Sequence, residues 1–450
     1  MSSHIASSNV EPFSHIPRAL RACLLLSPSF WSLNMGTGIT SILVHNLPYR
    51  ARWLEICGTI LFVLNIIIFI ALLIGNIVRY TRWKGVWSAT IAHHVSGMYW
   101  GCLPMGLATI VNMVAFVCVP AWGRKFAYLA LGLWWIDVIL SIAVNIGMIF
   151  VMFTRQSQTH QSVSSTWLLP VVASVVASAS GGIVSQALAP FNPSLARSTV
   201  ICSLGIWGTG VPIAMMVIGI WIHRCAVRGL PAPAALPSVF LPLGPCGQGS
   251  YGLTLLGQVI RELAYTYDTH FALVSVSSGV QLSASGETSG TLNQASMLAI
   301  ADAIYAGCLV IALILWGLGM VLYILAMMIT IDHGLRSTSY WSPDNLSIGW
   351  LAYTFPIGVW ATATTILSQT LDSPALKVIA TMISLQVILS WMYIFWMLLY
   401  KMWHGTIFIV PELEMLDGEE PALRFGGHSK PRERDHNVSE RDQSKSERLV

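Results

Sequence analysis

Ten stretches of mostly apolar residues follow one another along this chain, and short polar segments separate most of them. A helix needs about 20 such residues to cross the hydrocarbon core of a bilayer. The stretches are 28–47, 53–78, 89–119, 124–153, 167–189, 198–223, 235–260, 297–329, 347–370 and 375–403. The sequence therefore predicts an all-α integral membrane protein with ten transmembrane helices.

The scarcity of charge supports this fold class and excludes several others. Only 10% of the 450 residues are charged, whereas soluble domains carry about 25%. The net charge of +4 gives no argument for a nucleic-acid partner. The sequence contains no HExxH, no GxSxG and no phosphate-binding loop, so we expect neither an enzyme nor a bound cofactor.

The eight cysteines point to ordinary packing. None of them forms a CxxC pair, and most lie inside the apolar stretches. A buried free thiol behaves as a small hydrophobic group. We therefore expect no metal site and no disulfide.

The charges also divide the chain and orient it. Residues 1–27 lack a secretory signal and form the predicted N-terminal segment, 28–404 form the membrane domain, and 405–450 form a polar, disordered tail. With both termini inside, the inner segments hold 17 Lys and Arg residues and the outer segments hold 7. The positive-inside rule then predicts cytoplasmic termini, with the long loop at 261–296 outside. Because most connections are short, we expect consecutive helices to form antiparallel hairpins.

The odd-numbered helices differ from the even ones. Most of the even helices are bulky, whereas the odd helices are rich in small, hydroxyl and proline residues, which include Gly36, Thr37, Gly38, Pro104, Gly106, Ser178, Gly181, Pro242, Pro356, Thr362 and Thr365. Proline frees backbone carbonyls, which a membrane tolerates beside protein or a water-filled cavity. The alternation predicts odd helices around a central passage and even helices facing lipid. For any single residue, close helix packing is the alternative.

Carboxylates are rare inside the membrane domain. Asp137 and Asp302 are the clearest, and both lie on even helices, where we expect them to cap a neighbouring helix or pair with an arginine. No odd helix has a carboxylate at its centre. Cation pathways usually use carboxylate rings, so the predicted passage suits a small anion.

A histidine pair, His93 and His94, opens the third predicted helix. Neighbouring helical residues point about 100° apart, which disfavours a shared metal. A pH-sensing or anion-contacting role near the pore mouth and an interfacial structural role both remain open.

Three segments carry a resemblance to a known family. They are FWSLNMGTG at 30–38, WGCLPMG at 100–106 and WLAYTFP at 350–356. In this order, on the first, third and ninth helices, they resemble the tellurite-resistance/dicarboxylate transporter family, which includes plant slow anion channels, yeast malate permeases and fungal sulfite efflux pumps. The Met-Gly-Thr-Gly run and the later Leu47-Pro48-Tyr49 are most similar to the sulfite pumps.

The resemblance implies a fold and a gate. Members of this family have five helical hairpins around a quasi-fivefold axis, usually as a homotrimer, with odd helices lining the pore. A phenylalanine on the ninth helix blocks the pore in channel relatives, and its position corresponds to Phe355. We expect Phe30 and the glycine and proline residues of the three segments to shape the same pore.

The expected function is plasma-membrane export of sulfite or bisulfite. The bilayer and the anion would be the partners. A malate or other dicarboxylate carrier, or a nitrate or chloride channel, is the alternative from the same family. A receptor without transport activity is the alternative from another class, and it would have a dry, leucine-filled axis.

Overall fold

Helices account for all the regular secondary structure in the described part of the chain. The computed structural model describes residues 17–156, 158, 163–271, 294–336 and 348–403. The α-helices are α1 Arg18–Leu24, α2 Trp31–His45, α3 Arg52–Arg82, α4 Val86–Ala92, α5 Cys102–Met113, α6 Val119–Trp122, α7 Arg124–Thr154, α8 Leu168–Leu188, α9 Pro193–Arg228, α10 Leu243–Tyr267, α11 Gln294–Arg336, α12 Leu351–Thr370 and α13 Pro374–Trp403.

Several predicted segments fall wholly or partly outside the described residues. These are 1–16 of the N-terminal segment, 272–293 of the long loop, and the whole 405–450 tail. The two ends of the predicted loop are helical instead, because α10 continues to Tyr267 and α11 begins at Gln294. Arg261 joins these ends through an ion pair of 2.9 Å with Asp302, which is the arginine partner expected for that carboxylate.

Seven helical segments are long and apolar enough to cross a membrane. They are Arg52–Arg82, Ser96–Trp122, Arg124–Thr154, Ser165–Leu188, Pro193–Arg228, Met297–Arg336 and Pro374–Met402. The third predicted span begins later than expected: α4 ends at Ala92, and a 3-10 segment, Ser96–Gly101, leads into α5. His93 and His94 therefore lie in the connection between these elements and do not open a helix.

The helices separate into two layers by burial. The most apolar windows of Ser96–Trp122 and Ser165–Leu188 are 83% and 100% buried, against 22–33% for the five long helices α3, α7, α9, α11 and α13. The five inner helices contact one another in the order α2, α5, α8, α10, α12, and α12 returns to α2. They form a closed ring, and the outer helices present apolar side chains around it.

Each inner helix is entered in the same way. A short 3-10 segment precedes it, namely Pro28–Phe30, Ser96–Gly101, Ser165–Trp167, Pro233–Phe240 and Ile348–Trp350. Two of these segments begin with proline, whose fixed φ and missing N–H suit the first turn of a helix. The repeated entry gives the five inner helices a common starting geometry.

A buried chain of polar side chains joins α2, α3 and α5. The Asn34 amide donates to Asn65 Oδ1 at 2.7 Å, and the Asn65 amide donates to Thr109 Oγ1 at 3.0 Å. Two glycines make room for it. A Cβ at Gly38 would overlap Thr109 and Asn65, and a Cβ at Gly106 would overlap the Asn34 amide oxygen. Because buried amides need partners inside a membrane, this chain fixes the approach of the three helices.

We predict that Gly38→Ala lowers the melting temperature of the protein in detergent. The added methyl group has no space beside Thr109 and Asn65, and overpacking of this kind costs about 1–3 kcal/mol. Gly132→Ala is the matched control, because an exposed methyl group on α7 meets nothing within 4 Å. If the Gly38→Ala protein had the same melting temperature as the control, this account of the packing would be contradicted.

Candidate functional site

Three cavities lie in series inside the ring of inner helices. We call them the wide cavity of about 260 Å³, the middle cavity of about 20 Å³ and the narrow cavity of about 10 Å³. Their lining residues all belong to α2, α5, α8, α10 and α12 or to segments directly attached to those helices. On each helix the residue numbers rise from the narrow cavity to the wide one. The five helices therefore run parallel, and the cavities follow their common direction.

Phe355 separates the narrow cavity from the middle one. Its side chain is only 2% exposed and lines both cavities. Pro356 follows it and lines the narrow cavity. Since proline carries no N–H, α12 lacks one backbone hydrogen bond at this point. The predicted gate residue thus lies where the series of cavities is interrupted.

The wide cavity is polar. Among the described residues that line it, Arg50 carries the one charge. Four carboxamides and three hydroxyls accompany it, namely Asn46, Gln186, Gln258, Gln369, Tyr251, Thr362 and Thr365. Beyond Gln186, Glu262 forms a side-chain hydrogen bond to that residue. A cation surrounded by hydrogen-bonding groups gives this cavity the chemistry of an anion vestibule.

The threonine hydroxyls donate into their own helix. Thr362 Oγ1 donates to the Val359 carbonyl at 2.8 Å, and Thr365 Oγ1 donates to the Ala361 carbonyl at 2.9 Å. Both threonines, which the sequence analysis assigned to the pore path, line the wide cavity, but their protons are already engaged. Gln258 Nε2 also donates, to Thr370 Oγ1 at 2.8 Å. A carboxamide nitrogen carries two protons, however, so the carboxamides keep a donor for a bound anion.

Most of the small and hydroxyl residues predicted for the pore path lie instead at helix contacts. Thr37 Oγ1 donates to the Leu33 carbonyl and accepts from Trp391 on α13. Ser178 donates to the Ser203 carbonyl on α9. A Cβ at Gly181 would overlap Ser203 Oγ and approach the Trp134 ring. Like Gly38 and Gly106, these residues lie at close contacts between helices, and none of them is among the residues that line the three cavities.

The remaining predicted residues also lie away from the cavities. Phe30 ends the first 3-10 segment, Gly36 and Pro104 are buried within α2 and α5, and Pro242 directly precedes α10. His93 and His94 lie in the connection between α4 and the 3-10 segment that precedes α5, and their ring centroids are 5.0 Å apart. His93 Nδ1 accepts a hydrogen bond from the Ser96 backbone N–H. This contact gives His93 a structural role in the turn.

Asp137 differs from Asp302 in having no salt bridge within the described chain. It is fully buried on α7, and neither carboxylate oxygen has a hydrogen-bond partner among the described residues. The expected capping role is therefore not seen. Nearby on the same helix, Trp134 Nε1 donates to the Ala177 carbonyl of α8 at 2.8 Å.

The residues that sequence reasoning missed follow a helical spacing. Cavity positions recur every three or four residues on α5 and α10, at Met105, Thr109, Asn112 and Phe116 and at Gly244, Gln248, Tyr251, Leu255 and Gln258. Phe116 lies in a π-helical segment, Val114–Cys118, which changes the direction of the side chains that follow it. The polar residues at this spacing could have indicated the cavity face of each helix from the sequence. Arg50 lies in a connection with no periodic pattern, so no such spacing indicates it.

The chain is similar to a known family of transport proteins. The profile of the SLAC1 family, described as voltage-dependent anion channel, matches residues 26–399. The sulfite efflux pump SSU1 of Trichophyton rubrum is 36% identical over 374 residues, which is 83% of this chain and 90% of that protein. The sulfite efflux pump SSU1 of Saccharomyces cerevisiae is 27% identical over 53% of this chain and 59% of its own length.

A more distant relative transports an organic acid. The malic acid transport protein of Schizosaccharomyces pombe is 20% identical over 82% of this chain and 77% of its own length. The family resemblance expected from the three sequence segments is therefore confirmed.

Proposed function

The chain belongs to the SLAC1 family of anion channels and transporters, and we propose that it exports sulfite or bisulfite across the plasma membrane. The observation that carries the proposal is the series of three polar-to-apolar cavities inside the ring of inner helices, interrupted at Phe355. The similarity to fungal sulfite efflux pumps over most of the chain supports the choice of substrate.

The proposal includes ten membrane crossings in five hairpins with quasi-fivefold symmetry. The closed ring of helix contacts and the five repeated 3-10 entries support it. Beyond the seven apolar segments, the crossings are α2, α10 and α12, each with its 3-10 entry. These helices are surrounded by others, so they need less apolar surface than a helix that faces lipid.

The orientation and assembly follow from the sequence and the family. Cytoplasmic termini, including the 1–27 segment and the 405–450 tail, place the start of each inner helix and the narrow cavity toward the cytoplasm. The wide cavity and Arg50 then face outward. The proposed assembly is a homotrimer in the bilayer, by analogy with the family.

The membrane potential supplies a driving force for export. An inside-negative potential is worth about 2.3 kcal/mol per charge per 100 mV, and it pushes an anion outward. In the proposed mechanism, the anion leaves the cytoplasm through the narrow cavity, passes when Phe355 moves aside, and reaches the polar vestibule. No coupled ion is required by this arrangement.

We predict that Phe355→Ala increases the anion current. Removing the ring joins the narrow and middle cavities, and a barrier lower by about 1.4 kcal/mol raises the rate about tenfold. Whole-cell or bilayer recording measures the change. Phe62→Ala is the matched control, because Phe62 is a buried phenylalanine on the outer helix α3. An unchanged or smaller current in a well-expressed Phe355→Ala protein would contradict the gate.

We predict that Arg50→Gln lowers anion flux roughly two- to tenfold at low ionic strength, because the vestibule loses its positive charge. The difference should shrink as salt is added, since an exposed charge is screened. Arg52→Gln removes an exposed charge from the start of α3 outside the cavity and serves as the control. Equal effects of the two substitutions would mean that Arg50 acts only through net charge.

The substrate is tested in cells. Deletion of the gene should make cells sulfite-sensitive and raise their internal sulfite, and the restored gene should reverse both effects. Malate movement, measured in the same cells, distinguishes the dicarboxylate alternative. Unchanged sulfite resistance together with lost malate movement would favour that alternative.

A further inference from the structure

The middle cavity is closed by an aromatic side chain on each side. Phe355 lines both the middle and the narrow cavity, and Tyr251 lines both the middle and the wide cavity. Like Tyr251, Ile42 and Thr362 line both the middle and the wide cavity. The middle cavity is therefore a small chamber between two constrictions.

Two buried carboxamides from opposing inner helices face this chamber. Asn112 on α5 is 5% exposed and Gln248 on α10 is 4% exposed. Neither side chain makes a hydrogen bond within the described part of the protein, and Asn112 Oδ1 is fully buried without a partner. A buried polar group left unpaired costs about 1–3 kcal/mol. This cost is recovered if the chamber holds a molecule that accepts from the amide N–H groups and donates to Asn112 Oδ1, as the O–H group of bisulfite can.

The rest of the chamber is neutral and mostly apolar. Its other described lining residues are Ile39, Ile42, Thr109, Val176, Ile183, Tyr251, Phe355, Val359 and Thr362, none of which is charged at neutral pH. The Thr109 hydroxyl donates to the Gly106 carbonyl, and Thr362 is engaged in the same way with Val359. The free donors are thus the carboxamide N–H groups of Asn112 and Gln248 and the hydroxyl of Tyr251, which makes no hydrogen bond within the described residues.

We propose that the middle cavity is an occluded binding site for a singly charged anion, held by the amide groups of Asn112 and Gln248 between Phe355 and Tyr251. The inference rests on the proposed anion pathway and adds the place in that pathway where the anion is selected. With Phe355 in this position, a volume of about 20 Å³ holds about one water. An anion therefore enters when Phe355 moves aside, and it enters without its hydration shell. The two amides replace part of the lost hydration shell.

The neutral lining also selects by charge. Removing an ion from water costs free energy that grows with the square of its charge. Two amide donors without a fixed positive charge offset this cost for bisulfite or nitrate better than for a dianion such as malate. Arg50 contributes its charge only to the wide cavity. The site therefore favours the singly charged form of the substrate.

The test uses full-length protein in liposomes, with bisulfite and nitrate as singly charged probes and malate as the doubly charged probe. Gln248→Met and Asn112→Leu keep the approximate side-chain volume and remove the donors. Each is measured alone and combined with Phe355→Ala. Ser250→Ala is the control, because Ser250 is buried on α10 with an unpartnered hydroxyl but does not line the chamber.

We expect both donor variants to lower bisulfite and nitrate flux about tenfold, as loss of a hydrogen bond to a charged group predicts, and to narrow the preference over malate. The Ser250→Ala protein should match the parent. All proteins are compared at equal membrane abundance and melting temperature. The two donor variants lie on different helices, so a packing defect on one helix leaves the other as a test.

Two results separate this inference from the pathway itself. If Phe355→Ala raises flux while both donor variants keep the parent flux and selectivity, the chamber holds only water, and the inference is overturned although the pathway stands. If Phe355→Ala changes nothing, the proposed gate fails. The bisulfite and nitrate flux of the Gln248→Met protein is then compared with that of the unaltered protein. A tenfold lower flux supports the amide site, and an equal flux overturns it.

Discussion

A bilayer offers no hydrogen-bond partner to a polar group, and this constraint organises the whole protein. Many amides and hydroxyls inside the ring pair with one another or with backbone carbonyls, as the chain from Asn34 through Asn65 to Thr109 shows. Glycine at 38 and 106 allows the approach that these bonds require. The same constraint makes the exceptions informative, because a buried polar group without a partner must be explained.

Two of the groups without a partner lie on the proposed pathway. Asn112 and Gln248 have no hydrogen-bond partner among the described residues and face the middle cavity, while the threonines beside them use their protons within α12 and α5. Arg50 stands at the wide cavity. The charge is therefore placed in the vestibule, and neutral donors are placed at the constriction. This order suits an exported ion that is dehydrated at the centre of the pathway and then attracted toward the positive charge at the outer end.

Hydropathy predicted an all-helical chain because the thickness of the bilayer sets the length of the apolar stretches, and seven helical segments of the described chain are long and apolar enough to cross a membrane. The start of the third span was wrong, since a 3-10 segment and a separate short helix precede α5. The small residues were harder to interpret. Glycine and serine serve both close packing and open space, and composition alone does not say which way Thr37 or Ser178 points.

Position around each helix is what distinguishes the two roles. Thr362 and Thr365 lie on the cavity face of α12, whereas Thr37 contacts α13. Phe355 came from the family resemblance and not from periodicity. Asn112, Gln248 and Tyr251 were within reach of a search for polar residues at three- and four-residue spacing. Arg50 required the folded chain, because the turn after α2 brings it to the vestibule.

The most direct measurement of the central claim is anion flux through the unaltered protein in liposomes under a set potential, with sulfite, nitrate, chloride and malate compared in parallel. The account predicts sulfite flux well above that of protein-free liposomes, increasing with a potential that drives anions outward, and a much smaller malate flux. Sulfite flux equal to that of protein-free liposomes, with malate transported, would contradict it.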